Sequence, residues 1–272
     1  MHTAYILAVM ILFYSAGILI ISQSEYYSSM PSLNVSISTH CLNTLPLADA
    51  LEKLISHTSA VEVMNDGLHY TQDASLLSAF SYEYTIHAPA RSVNIASVLE
   101  PIRRASVELV TESISLAAEC GAKRVVFHPG YFTFKEEYGK AVSALQKSLA
   151  EIHAVSEETG IPCCVENMGN WGYFFLQKAE DISLVSGTDF CLDIGHAHEC
   201  GTLSEFLEVP FVQIHVHDND GTSDTHLALG KGTIDIAAVV EAVRRNKIVS
   251  PIAECATLDD ALATKRILEN LL

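Results

Sequence analysis

The chain has 272 residues, with 33 Asp and Glu against 16 Lys and Arg, so its formal charge is −17 with the 12 histidines counted as neutral. At 49% hydrophobic and only 18% charged, it is too apolar and too evenly mixed for a disordered, collagen-like or coiled-coil chain, and it is long enough to bury one large core. The acid excess argues against a protein that grips duplex nucleic acid over a wide footprint, because phosphate neutralisation needs clustered Lys and Arg. Small or cationic ligands fit it better.

The first thirty residues differ from the rest. Residues 4–22 form an uncharged run of nineteen, about the length of a membrane-crossing helix. No Lys or Arg precedes this run and none follows it until Lys53, so neither a signal-peptide n-region nor the positive-inside rule orients it. We read residues 1–30 as an apolar leader, an upstream extension with Met30 as the natural start. The alternative is a membrane anchor through residues 4–22. Residues 31–272 read as one domain.

From there, β-branched runs alternate with longer amphipathic stretches. Strands are expected over 33–39, 60–65, 82–88, 124–129, 162–168, 189–197, 211–218 and 250–256, and helices over 47–57, 105–122, 140–160 and 234–247. Alternation of β and α implies parallel strands with crossover helices. Eight such units in the 242 residues after the leader (272 − 30) fit a single-domain (β/α)8 TIM barrel. Neither a Gly-rich dinucleotide fingerprint after the first strand nor a phosphate-binding GxxxxGK[ST] loop is present. The seven cysteines are odd in number and lack any CxxC, which points to a reduced, cytoplasmic chain. Cys163, Cys164, Cys191 and Cys255 read as small core residues. Arg103 and Arg104 read as a solvated helix start.

The chemically capable residues fall at strand ends. His87, His128, Glu166, Asp193, His196, His215, His217 and Glu254 close strands three to eight, and Asp224 and His226 follow the seventh. In a barrel these carboxyl ends converge on one face. Neutral imidazoles with carboxylates are the ligand set expected for Zn²⁺ or Mn²⁺, and so many buried polar groups without a cation would be costly. Glu62 on the second strand is a weaker pocket candidate.

HAPA (87–90), FHPG (127–130), VENMG (165–169), LDIGHAHECG (192–201), HVHDND (215–220), DTHLALGKG (224–232) and AEC (253–255), in this order, resemble the xylose isomerase-like TIM-barrel superfamily, which includes endonuclease IV and the sugar phosphate isomerases and epimerases. The resemblance covers residues 33 to about 270. It implies, from endonuclease IV, up to three zinc ions: one held by His87, His128 and Glu166, a second by Glu166, Asp193, His215 and Glu254, and a third by His196, Asp224 and His226. His215, rather than His217, matches the family's H-x-x-D pattern. It equally implies, from the isomerases and epimerases, a single ion such as Mn²⁺ on Glu166, Asp193, His215 and Glu254.

Two activities follow from the resemblance. The leading expectation is a divalent-metal-dependent isomerase or epimerase of a small sugar or sugar phosphate, with Glu166 and Glu254 moving the proton. The alternative is a zinc-dependent phosphodiesterase that cuts DNA at abasic sites. A barrel that keeps its metal for structure or sensing is a third, weaker reading. The acidity, and Ala90 where endonuclease IV tends to carry a bulky aromatic, favour the sugar enzyme. The stretch NMGNWGYFF (167–175) offers Asn167 and Trp171 as substrate contacts. His217 and, in the region after strand seven that commonly binds phosphate in barrels, Lys231 are further candidates.

Overall fold

The computed structural model describes residues 10–14, 17–21 and 33–272. Each expected β-branched run becomes one strand: β1 (Ser36–Ser38), β2 (Ala60–Met64), β3 (Glu83–His87), β4 (Val125–Phe127), β5 (Cys163–Glu166), β6 (Asp189–Asp193), β7 (Gln213–Val216) and β8 (Ile252–Ala253). They pair in parallel in chain order, and β8 returns to β1 through Ile252↔Ser36 and Ala253↔Ile37, closing the barrel. Closure leaves no free sheet edge.

The helices are α1 (Leu47–Leu54), α2 (Ala74–Ser78), α3 (Glu100–Cys120), α4 (Tyr138–Thr159), α5 (Ile194–Glu199), α6 (Leu203–Phe206), α7 (Ile236–Arg245) and α8 (Leu258–Leu271). Their ends are chemically marked. Gly121 and Gly160 stop α3 and α4 in the left-handed region at φ 72° and 73°, where a Cβ is disfavoured. Asp235 caps the first amides of α7, and Thr257 those of α8.

A period of two connects the core to the mouth. Val126, Cys164 and Cys191 pack together inside the barrel, and the residues two positions on, His128, Glu166 and Asp193, reach its carboxyl-terminal end. The thiols are core filler, as expected: all seven cysteines are free, and burial pushes Cys41, Cys163 and Cys255 up to about 12, far from the thiolate that would ligate a metal.

Three expectations need correction. The strand expected over 189–197 ends at Asp193, because the Asp193 side chain accepts the His196 amide at 2.7 Å and starts α5 there; His196 therefore sits on a helical first turn. The final helix α8 was not foreseen, since its buried side chains are few and include Asp260 and Thr264. Arg103 is not solvated. It is 2% exposed, pairs with Glu100 within α3 (2.8 Å), and joins α3 to α4 through Glu151 (3.0 Å) and Ser148 (2.9 Å).

In the leader, Met10–Tyr14 and Gly17–Ile21 pair as antiparallel strands; the rest of the 4–22 run, weighed above as an alternative anchor, lies outside the described residues. Among the described residues, no helix is long and apolar enough to cross a membrane.

Removing Arg103 strips hydrogen bonds to partly exposed carboxylates and to a buried hydroxyl. Arg103→Ala is expected to lower unfolding free energy by about 2 kcal/mol, and Arg104→Ala to stay within about 0.5 kcal/mol, both read from urea melts.

Candidate metal centre and cavity

The strand ends and the segments after them bring nine of the expected residues into three groups whose ligating atoms lie within 4.8 Å of one another: His87, His128 and Glu166; Glu166, Asp193, His215 and Glu254; and His196, Asp224 and His226; a fourth such group joins His217 to His226 and Glu254. Glu166 is the hub. Its Oε2 faces His87 Nε2 at 3.0 Å and His128 Nε2 at 3.1 Å, while its Oε1 faces His215 Nδ1 at 3.0 Å and His196 Nδ1 at 3.5 Å.

The imidazoles show an unusual donor balance. His87 Nδ1 lies 2.8 Å from the Ala88 carbonyl and His226 Nδ1 2.7 Å from the Glu254 carbonyl. Their Nε2 atoms lie 3.0 Å from Glu166 and 3.0 Å from Asp224. His196 is set the same way, with Nδ1 3.0 Å from the Asn167 carbonyl and Nε2 3.4 Å from Asp224. His215 has Nε2 3.0 Å from Glu62 and Nδ1 between Glu166 (3.0 Å) and Glu254 (3.1 Å).

A neutral imidazole has one donor and one acceptor, so each of these four rings faces an acceptor it cannot satisfy. Either the ring is charged or a cation stands between nitrogen and carboxylate. The donor set therefore fits divalent metal, and the carbonyl or carboxylate behind each ring fixes which nitrogen points inward.

Electrostatics agree. Burial is the largest single influence on His87 and His226 and opposes their charge, but hydrogen bonds to Glu166 and Asp224 together with the charges of the surrounding carboxylates outweigh it and hold both rings at about 9. On Glu166 burial likewise opposes charge, and the surrounding histidines overcome it and pull the carboxyl well below its usual range. His128, more weakly partnered, is lowered by burial.

Four other expected residues are placed as follows. Trp171 lines the cavity above the groups and is 57% exposed. Asn167 does not line it: its amide donates to the Asp193 carbonyl and its oxygen accepts the Asp193 amide (2.9 and 2.7 Å), stitching β5 to β6. His217 is fully buried behind Asp193, with Nε2 3.1 Å from both carboxylate oxygens and Nδ1 without a partner. Lys231 is held by Asp260 outside the cavity. Gly195 makes room for His217, since a Cβ there would fall 1.9 Å from the ring.

Sequence reasoning undervalued Glu62, His40 and Arg91. Glu62 is fully buried and orients His215 rather than entering the pocket; an acid at the centre of the apolar run AVEVM was the available signal. His40 stacks on His226 with centroids 4.7 Å apart, and with Arg91 it lines the cavity.

The cavity has a volume of about 690 Å³. Glu166 and Glu254 contribute to it from strand ends, His196 from α5, and Asp224 and His226 from the loop after β7, and Tyr131, Trp171, Tyr173 and Phe174 form an aromatic wall.

A barrel with this mouth defines a class that comparison makes specific. The family described as xylose isomerase-like TIM barrel matches residues 60–271, and the chain belongs to it. An uncharacterized protein of Methanocaldococcus jannaschii is 36% identical over 210 residues, 75% of this chain and 84% of that protein. A probable endonuclease 4 of Mycobacterium leprae is 26% identical over 205 residues, 69% and 78% of the two chains. The crystal structure of a D-tagatose 3-epimerase-like protein superposes with a TM-score of 0.81 at 27% identity, covering 88% of this chain and 97% of that one.

Two predictions follow from the donor balance. In chelated protein, His87 and His226 sit near 9 against an ordinary 6.5, so their stabilisation is full below about 6.5 and is lost as pH rises through 9. Glu166 is pulled below 4.5, so its stabilisation is full above that value and is lost as pH falls. The chelated chain should melt highest between pH 4.5 and 6.5 and lose Tm towards pH 9, whereas added Zn²⁺ should stabilise it more as pH rises. Glu62→Gln should weaken metal binding about 10–100-fold, measured by competition with a chromophoric chelator.

Proposed function

We propose that the chain is a divalent-metal-dependent isomerase or epimerase of a small carbohydrate, bound in the 690 Å³ cavity. The observation that carries this reading is the placement of Glu166 and Glu254: both line the cavity, and they enter from β5 and β8, three strands apart around the barrel. The volume suits a monosaccharide. The sides are aromatic and polar, with Arg91 as the one Arg or Lys among the cavity-lining residues described.

A Zn²⁺ or Mn²⁺ ion held by Glu166, Asp193, His215 and Glu254 would polarise a substrate carbonyl and its neighbouring hydroxyl. Around it the chain's own groups divide the work. Glu254, 3.1 Å from His215 Nδ1, and Glu166 take and return the proton on the carbon beside the carbonyl. Their neighbouring histidines hold both carboxyls ionised against burial, the state required of a base. The Trp171 wall covers an apolar sugar face and excludes water.

A second reading, hydrolysis of a phosphoester as at an abasic site in DNA, is favoured by one observation. The two oxygens of Glu166 face different histidine sets, and the His196, Asp224 and His226 group is complete beside them, as a multi-ion centre requires. The probable endonuclease 4 relatives point the same way.

The test pairs two assays on metal-loaded protein. In D₂O, ketohexoses and their phosphates should exchange the carbon-bound hydrogen next to the carbonyl, with chelator abolishing exchange and Glu254→Gln lowering kcat about 10²–10⁴-fold. Chelator-sensitive nicking of an abasic duplex, with three zinc ions per chain and no exchange into any sugar, would overturn the proposal in favour of hydrolysis.

A further inference from the structure

The ligand sets implied by the family resemblance give His217 no ion, yet its surroundings are those of a ligand. The ring is fully buried, and its Nε2 lies 3.1 Å from both oxygens of Asp193. An ionised carboxylate only accepts, so Nε2 carries the proton and the lone pair of the neutral ring stands on Nδ1. Among the described residues, no hydrogen-bond partner reaches that nitrogen. A histidine that gives one N–H to a carboxylate and turns a bare nitrogen towards a polar cluster is set as metal-ligating histidines are.

The cluster is in place. Nδ1 of His217 lies 3.8 Å from Asp224 Oδ1, beyond hydrogen-bond range, and His217, His226 and Glu254 offer ligating atoms within 4.8 Å of one another. The His217 and His226 rings stack with centroids 3.9 Å apart and 16° between their planes. Two ligands held at about 2.1 Å by one tetrahedral ion stand roughly 3.4 Å apart, so both spacings suit a shared ion after a small adjustment. Two imidazolium rings stacked face to face would instead repel. Two carboxylates and two neutral rings also balance a divalent charge, the condition for burying one. Ser36 Oγ, Glu62 Oε1 and His69 Nε2 are likewise buried without a partner, but among the described residues none of the three belongs to such a group.

We infer that His217 is a metal ligand, and that with His226, Glu254 and Asp224 it forms an inner cation seat beside the outer one on His196, Asp224 and His226. The two seats are alternatives. His226 Nδ1 is committed to the Glu254 carbonyl at 2.7 Å, which leaves Nε2 as the single nitrogen for either ion. The outer three residues all line the cavity, whereas His217 does not. The inner seat, with four protein ligands, is closed and fills first; the outer, with three, keeps an open position. On the proton-transfer reading above, an ion in the inner seat withdraws Glu254 from its work as base, so filling it inhibits; the seat itself does not rest on that reading.

Long-range ¹H–¹⁵N spectra of the full chain, labelled at histidine and titrated stepwise with Zn²⁺ after chelation, test this. His87, His128, His196 and His226 turn Nε2 inward, and His215 turns Nδ1. A filled inner seat therefore gives two metal-bound Nδ1 signals, from His215 and His217, and an unfilled one gives one. His217→Gln, whose amide can still donate to Asp193, should lose the second signal and bind one zinc at least about tenfold more weakly in chelator competition. His196→Gln, which removes a ligand of the outer seat alone, should keep both signals. A single metal-bound Nδ1 at saturating Zn²⁺, or unchanged affinity for every ion in His217→Gln, overturns the inference. Hydrogen exchange into sugar, present with the first ions, should fall as the second Nδ1 signal appears. Exchange that persists with both signals present would leave the seat standing and remove Glu254 from the proton-transfer reading instead.

Discussion

Everything at the mouth of this barrel turns on the Glu166 carboxylate and the rings arrayed around it. Four histidines present both nitrogens to acceptors: His87 to Ala88 and Glu166, His196 to Asn167 and Asp224, His215 to Glu62 and Glu166, and His226 to Glu254 and Asp224. Four imidazolium ions within one buried cluster repel one another, and four neutral rings would leave acceptors facing bare lone pairs. Divalent cations relieve both problems, because a ring nitrogen and a carboxylate oxygen each donate electrons to them. The outward nitrogen of each ring is committed to a carbonyl or to Glu62, so the rings are oriented before any ion arrives.

The barrel produces this arrangement by simple periodicity. Val126 and Cys164 are register partners and pack inward together with Cys191, so the side chains two residues on, His128, Glu166 and Asp193, emerge above them. His215 and His217 share a face of β7 for the same reason, yet they differ in role, because Gly195 leaves a space that only the deeper packing of His217 against Asp193 fills. His217 contacts Asp193 from behind and groups with His226 and Glu254, while His215 stands among four carboxylates.

How much of this was legible beforehand depends on whether a feature is local. The eight strands and the strand-end residues are period-two patterns bounded by turns, and they can be read directly. The end of β6 could not, because LDIGHA continues the apolar alternation; what stops it is the hydrogen bond from the His196 amide to Asp193, a three-residue interaction that competes with extension. The roles of Asn167, Lys231 and Glu62 were hidden because each is decided by a partner distant in sequence: Asp193, Asp260 and His215, respectively. Arg103 reads as surface until α4 brings Ser148 and Glu151 against it.

The aromatic wall is tied to the ligand cluster by the same short helix that corrected the strand boundary. Along α5, His196 points to Glu166 and Asp224, and Glu199, one turn later, accepts the Asn170 amide at 2.6 Å. Gly169 permits that approach, since a Cβ there would meet the Glu199 carboxylate at 2.0 Å. The loop bearing Trp171 is further held by the Gln177 side chain on the Gly169 and Trp171 carbonyls and by the bridge between Phe174 and Tyr131. A displacement of the wall would therefore pull on Glu199 and so on the helix that carries His196. The aromatic wall and the histidine–carboxylate cluster are thus linked through α5, because two residues three apart on a single helical turn, His196 and Glu199, contact one each.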